Sequence, residues 1–255
     1  ETAPLPTGIY DVLVPGGRSM KDLIKKTAFK DGLEAGFELL APLVRKAGLG
    51  LGELHTSGAR TGPVVTWEDQ VSEVRNAGAQ LGSVVPTLAD AMEPLVTRLE
   101  ALRNVLPAGP LVPTHRSFRP AQILVHDDDI AFIDFDGTSQ AEPGLDLALF
   151  RATLWHLSLR APLVEGQPVA AEEQEACQVR LDELCAIFLA GYLEVAEYSV
   201  ERLALWDVLT SAKDILDCWR KIKFEHLERR MRFLHHKLGE GVAPSAAQGP
   251  APLPS

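Results

Sequence analysis

The chain has 255 residues, 46% hydrophobic and 24% charged, which is enough apolar side chain to bury a core and excludes disorder over most of its length. With 25 Lys and Arg against 35 Asp and Glu it has a formal net charge of -10, which argues against a nucleic-acid binder, since neutralising phosphates needs a basic footprint. No apolar run approaches the roughly 20 residues that cross a bilayer, so no membrane span is expected, and the start shows no charged-then-apolar secretion signal.

Cys177, Cys185 and Cys218 show no Cys-x-x-Cys spacing and read as buried thiols of a cytoplasmic protein in reducing surroundings. The first residue is Glu1, not Met, so the sequence reads as a processed product or part of a longer chain. Residues 1–17 read as a linker strand: Ile9 to Val14 is β-prone and ends at Pro15-Gly16-Gly17. Ser19 with Asp22 makes a variant capping box for a helix that Gly32 closes. Phe37, Leu40, Val44, Ala47, Leu51 and Leu54 form a helical stripe, with Pro42 expected to kink that helix or mark its start. Gly48, Gly50 and Gly52 resemble a phosphate loop only superficially, because no useful strand precedes them and no Lys-Ser/Thr follows; they predict a closely packed helix.

His55 to Val65 reads as a loop, and Thr66 as the cap of a helix over 67–84. A second helix, from Pro86 to about Val105, would form an antiparallel hairpin with it. After a loop over 107–113, Ile123–Val125 and Ile130–Phe135 read as a β-hairpin joined by a four-residue acidic turn, His126-Asp127-Asp128-Asp129. Three adjacent aspartates cannot all face one ion, so the turn is read as solvated. Helices are then expected over about 145–159, 169–195, 200–209 and 211–238, and a flexible Pro/Ala-rich tail over 240–255. The last helix has an apolar stripe (Leu216, Trp219, Ile222, Leu227, Met231, Leu234) and a basic face including Arg220, Lys221, Lys223 and Arg230. A membrane or acidic partner could dock there, but a core helix with a solvated face is favoured. His235 and His236 point different ways and make a poor metal pair.

The most informative stretch is Pro113-Thr-His-Arg-Ser-Phe-Arg-Pro-Ala-Gln-Ile-Leu-Val125, with Phe132-Ile-Asp-Phe-Asp136 and Pro143-Gly-Leu-Asp-Leu-Ala148 after it. In order and spacing it resembles the catalytic half of the aminoglycoside phosphotransferase and choline-kinase-like family. That family carries His-Gly-Asp, an Asn, a Leu-Val strand, an Ile-Asp-Phe-Asp strand end and Asp-Leu-Ala opening a helix. Ile9 to Gly16 and the Leu51–His55 helix end extend the resemblance to most of residues 9–235. It implies a mainly α fold with a small β-hairpin, the C-terminal lobe of the protein-kinase-like fold over residues 18–239, α+β if an N-terminal lobe lies upstream.

The resemblance implies roles residue by residue. In the family the aspartate of His-Gly-Asp takes the substrate hydroxyl's proton, while the Asn and the strand-end aspartate hold magnesium against ATP phosphates. Here His115 matches the family histidine, Arg116 replaces Gly, Ser117 replaces the catalytic Asp, Arg119 stands where a second His is common, and Gln122 replaces the Asn. Asp134, Asp136 and Asp146 are retained. Asp134 is thus the leading magnesium candidate with Gln122 beside it, though it could instead cap a turn before Gly137. His115, Asp136 and Asp146 read as structural.

A serine is not a general base without a base of its own, and losing a positioned base costs about 10²–10⁴ in rate. Arg116 and Arg119 favour an anionic over a cationic ligand. Ser117 as nucleophile or phosphorylation site is a further reading. Eight residues precede Ile9, so the glycine-rich lobe of a kinase is not in this chain; it was lost or lies upstream.

Three functions remain. The first is a degenerate, pseudokinase-type binding or scaffolding subunit, with magnesium and ATP held weakly or not at all. The second is an active ATP- and magnesium-dependent phosphotransferase acting on a hydroxyl of a small molecule or peptide. The third is a helical module that binds a protein partner.

Overall fold

The computed structural model describes residues 17–24, 33–60, 62–103, 106–158, 163–164, 167–168, 171–221, 230–231, 233–234 and 236–237. The linker strand expected over 9–14, the helix end at Gly32 and the tail over 240–255 lie outside the described residues, as do Ile222, Leu227 and the side chain of Cys177.

Strand β1 is Arg18–Ser19. Ser19 Oγ caps the helical turn at 20–24 by accepting from Asp22 N at 3.2 Å, the expected pairing. Helix α1, Leu33–Thr56, runs through Pro42 rather than starting there, and its last turn carries His55 into what was expected to be loop. Its stripe is the core face: Leu40, Val44, Ala47, Leu51 and Leu54 are buried. Helices α2 (Trp67–Gly82) and α3 (Pro86–Arg103) form the expected hairpin, and Thr66 with Asp69 makes a full capping box on α2.

Next come β2 (Val112–Thr114), β3 (Ile123–His126), β4 (Asp129–Phe132) and β5 (Ser139–Ala141). The chain continues through α4 (Gly144–Ser158), a short hairpin β6 (Leu163–Val164) and β7 (Gln167–Pro168), α5 (Ala171–Leu193) and α6 (Val200–Arg220), with helical residues again at 230–231, 233–234 and 236–237. The sheets are antiparallel: β1-β3-β4 in that order, β2 with β5, and β6 with β7.

Several expectations are corrected. The hairpin turn is two residues long, because His126 pairs with Asp129 and only Asp127 and Asp128 remain between the strands. Strand β4 stops at Phe132, since Asp134 adopts the left-handed conformation (φ 69°, ψ 56°). No break falls at residues 209–211: Ser211 Oγ donates to Asp207 O at 2.6 Å, which lets a buried polar residue sit inside one continuous helix. Helix α6 ends instead at Arg220, its cap Lys221 N–H bonding Asp217 O and Trp219 O.

Helices α1 and α5 pack with backbone on backbone. A Cβ on Gly48 would lie 2.0 Å from Phe188 O, and one on Gly191 would lie 2.3 Å from Arg45 O. This is the close packing predicted for the glycine-rich stretch, with no loop in it. Beneath the sheets, Phe118, Phe132, Phe150 and Phe188 make one aromatic cluster, with Phe150 and Phe188 stacked at 4.1 Å. Phe118 is fully buried in it and anchors the loop between β2 and β3 to the helical core.

Candidate active site

Two ladders set the frame of that loop. Thr114 pairs with Ser139 across β2 and β5, its hydroxyl donating to Ser139 O at 3.0 Å. His115 follows and is fully buried. Its backbone N–H donates to Asp146 Oδ2 at 2.6 Å, and its ring Nε2 lies 2.9 Å from Ile133 O. A carbonyl can only accept, so Nε2 carries the proton. In the neutral ring Nδ1 is then a lone pair, and the Ser117 hydroxyl donates to it at 3.1 Å.

Arg116 lies between these two residues at φ 65°, a left-handed conformation that suits the glycine of the resembled motif and costs another residue about 1–2 kcal/mol. Its side chain is exposed, as is that of Arg119. Pro120 opens a 3-10 turn, Pro120–Gln122, that carries Gln122 back under the loop. Gln122 is buried and doubly held. Its backbone carbonyl accepts from Ile133 N at 3.0 Å. Its side-chain Nε2 donates to Asp134 Oδ2 at 2.8 Å while Oε1 accepts from Arg119 Nε at 2.7 Å.

The loop brings Gln122 and Asp134 into contact and links Ser117 to them only indirectly. Gln122 touches Asp134 directly, and Ser117 reaches the neighbouring Ile133 carbonyl through the His115 ring. Asp136 is exposed in the 3-10 turn Phe135–Gly137, and among the described residues none of these bonds reaches it.

Asp146, in the first turn of α4, ties the loop to the helices behind it. Its Oδ2 also lies 3.2 Å from His55 Nε2, and His55 Nδ1 lies 3.0 Å from the Tyr192 hydroxyl. Burial first, and the Asp146 charge second, push the Tyr192 pKa up, so this group stays a phenol in its contact with His55. Sequence reasoning noted His55 only as a helix end and missed Tyr192, whose pairing spans 137 positions. Asp146 Oδ1 is buried with no hydrogen-bond partner among the described residues.

The turn into α4 is clamped by Glu142. Its carboxylate takes both Nε (2.9 Å) and Nη2 (2.7 Å) of Arg202, and Trp206 Nε1, Gly109 N and the Tyr198 hydroxyl at 3.2–3.3 Å. Burial alone would raise the Glu142 pKa; the hydrogen bonds from Arg202 and Trp206 outweigh it and hold the carboxyl below its ordinary value. The Arg202 guanidinium lies 4.6 Å over the Trp67 ring.

Magnesium does not fit these residues as they stand. Metal needs oxygen lone pairs, yet Gln122 Oε1 is taken by a guanidinium and its amide is turned toward Asp134. Among the described residues, no three His, Cys, Asp or Glu side chains cluster to hold a metal ion.

Residues 27–184 match the model of the phosphotransferase enzyme family. Among solved structures, a glucosamine kinase in complex with glucosamine, ADP and inorganic phosphate is 19% identical, with TM-score 0.64 over 90% of this chain and 62% of its own. Another crystal form of glucosamine kinase gives 18% identity and TM-score 0.65 over 90% of this chain and 60% of its own. A choline/ethanolamine kinase family protein from Mesorhizobium loti gives 10% identity and TM-score 0.55 over 88% of this chain and 67% of its own. At such identities the likeness is one of fold, and the chain spans about three fifths of the length of the glucosamine kinases. A comparison with curated protein sequences returned no match. Among the described residues no helix is long and apolar enough to cross a membrane.

Proposed function

Because this chain belongs to the phosphotransferase enzyme family, we propose that it is a degenerate member that binds a phosphate- or carboxylate-bearing small molecule at its catalytic loop without transferring a phosphoryl group to a second substrate. One observation carries the reading: Gln122 bridges Arg119 and Asp134, so the two side chains matching the family's metal ligands are bonded to each other and to a cation. A guanidinium at that oxygen opposes a magnesium ion there and offers its remaining N–H groups to an anion. Arg116 adds a second exposed cation in the same loop. The family aspartate is absent, and Ser117 bears a hydroxyl that is a poor general base. The likeness to a glucosamine kinase solved with glucosamine, ADP and phosphate supports a small ligand in preference to a macromolecule.

The test is an ATP-consumption assay with magnesium on the full-length protein, beside calorimetric titration with ADP. The reading predicts background turnover, and ADP binding that weakens about tenfold or more in Arg119→Ala. Robust turnover that Ser117→Ala leaves intact would identify another base and end the reading.

A second reading has its own observation. Gln122 and Asp134 are in contact, so a rotation of Arg119 away from Gln122 would leave two oxygen-bearing side chains side by side, as an active phosphotransferase requires. It predicts that Asp134→Asn abolishes ATP consumption.

A further inference from the structure

Ser117 is the residue that removes the family's base, yet it has a base of its own. The tautomer of His115 is fixed by the Ile133 carbonyl on Nε2, which leaves Nδ1 as a lone pair 3.1 Å from Ser117 Oγ. That is a nucleophile, a base in hydrogen-bond reach, and a third group that orients the base. The ring is held rigidly: Phe135 lies 4.7 Å and Phe118 5.7 Å from it, centroid to centroid, and its own backbone N–H is on Asp146. An imidazolium formed there would have a buried carboxylate at its main chain, whose Oδ2 takes the His115 N–H and whose Oδ1 has no hydrogen-bond partner among the described residues. Ser117 is only partly buried, unlike His115 beside it.

We propose that Ser117 is an activated nucleophile toward phosphoryl donors that carry a good leaving group, such as acyl phosphates and phosphoanhydrides. In the step, Ser117 Oγ attacks phosphorus and its proton passes to His115 Nδ1. The Oγ–P bond forms, the bond from phosphorus to the leaving group breaks, and the leaving group departs with the bonding pair. Arg116 and Arg119, one and two positions from Ser117, supply cations for the phosphoryl oxygens. The product is O-phosphorylated Ser117. The step needs no metal, and an acyl phosphate or fluorophosphonate donor brings no nucleotide, so with such a donor its outcome is separable from that of the anion-binding reading.

The probe is an alkyl fluorophosphonate, from which fluoride leaves, applied to the full-length protein without magnesium and mapped by peptide mass spectrometry. Ser117 is expected to be labelled about 10²-fold faster than the exposed Ser83 and Ser199, the size of a positioned general base. Because His115 is fully buried, its replacement tests folding as much as chemistry, so a second variant leaves it in place. In Ser117→Cys the new thiol is expected to alkylate with iodoacetamide at neutral pH about tenfold or more faster in the folded than in the urea-unfolded protein, as a thiolate beside an imidazole does. Labelling of Ser117 no faster than Ser83 and Ser199, or alkylation no faster in the folded chain, overturns the proposal.

Discussion

Replacing Glu142 with glutamine should cost the fold about 3–5 kcal/mol, the penalty for leaving a buried charge without its partner. The arithmetic comes from what the carboxylate holds. Arg202 is bound through two nitrogens, and the side chains of the pair are 1% and 4% exposed. In Glu142→Gln one oxygen is kept, but an NH₂ then faces donors on Arg202, and the Arg202 charge has no counter-ion in the pair. Trp206 Nε1, Gly109 N and the Tyr198 hydroxyl all bond the same Oε2, so a glutamine that turns its NH₂ there leaves them short of an acceptor, and one that turns it the other way leaves Arg202 Nη2 short, at about 1–3 kcal/mol for a buried donor. For a chain of this size each kcal/mol lowers Tm by about 2–4 °C, so a fall of about 6–20 °C is expected at pH 7. Urea midpoints and thermal melts followed by far-UV circular dichroism read it directly.

The acid limb gives a second check. The folded state holds the Glu142 carboxyl below its ordinary value of 4.5, so it binds that proton less tightly than the unfolded chain does. The stabilisation is present above about pH 4.5 and is lost as pH falls through the folded value, so the wild type should lose more stability in acid than Glu142→Gln. A loss below about 1 kcal/mol, typical of a surface pair, would refute the reasoning. The consequence reaches the site, because Glu142 fixes the turn that presents Asp146 to the His115 backbone.

Gly48→Ala should destabilise by about 3 kcal/mol or more, because its Cβ would sit inside contact distance of the Phe188 carbonyl; urea unfolding measures it. Gly78→Ala is the opposite case in the same assay: the nearest atom to its Cβ is Met92 Cβ at 3.7 Å, so helix propensity should raise stability by about 0.5–1 kcal/mol. Arg116→Gly should leave Tm unchanged or higher by relieving the left-handed backbone, while weakening ADP binding by calorimetry; a fall in Tm would show that the Arg116 side chain supports the fold.

Periodicity made the core legible in sequence: the stripe from Phe37 to Leu54 in α1 and the apolar runs of β3 and β4 are burial patterns, and burial is what shapes a sequence. Short pieces were less so. Strands β2 and β5 have three residues each, with Pro113 in one and Ser139 and Gln140 in the other, and nothing local marks them before they pair. The boundary expected between residues 209 and 211 is absent, because the back-bond from Ser211 to Asp207 satisfies that polar side chain inside α6. The loop residues were legible by resemblance, as types at positions. Which way the Gln122 amide faces was not, since this depends on Arg119 and Asp134 meeting it from opposite sides. The His115–Ser117 bond was invisible for the same reason, being set by a carbonyl 18 positions away.

Magnesium decides the central claim through a sign. Titrating the full-length protein with ADP by calorimetry, once with a chelator and once with excess magnesium, compares arginine-held phosphate with metal-held phosphate. If Arg119 and Gln122 close the metal position, magnesium shields the charge that the arginines recognise, and affinity stays the same or falls. Tightening of about tenfold or more with magnesium would mean that Asp134 and Gln122 open to hold the ion, contradicting the account.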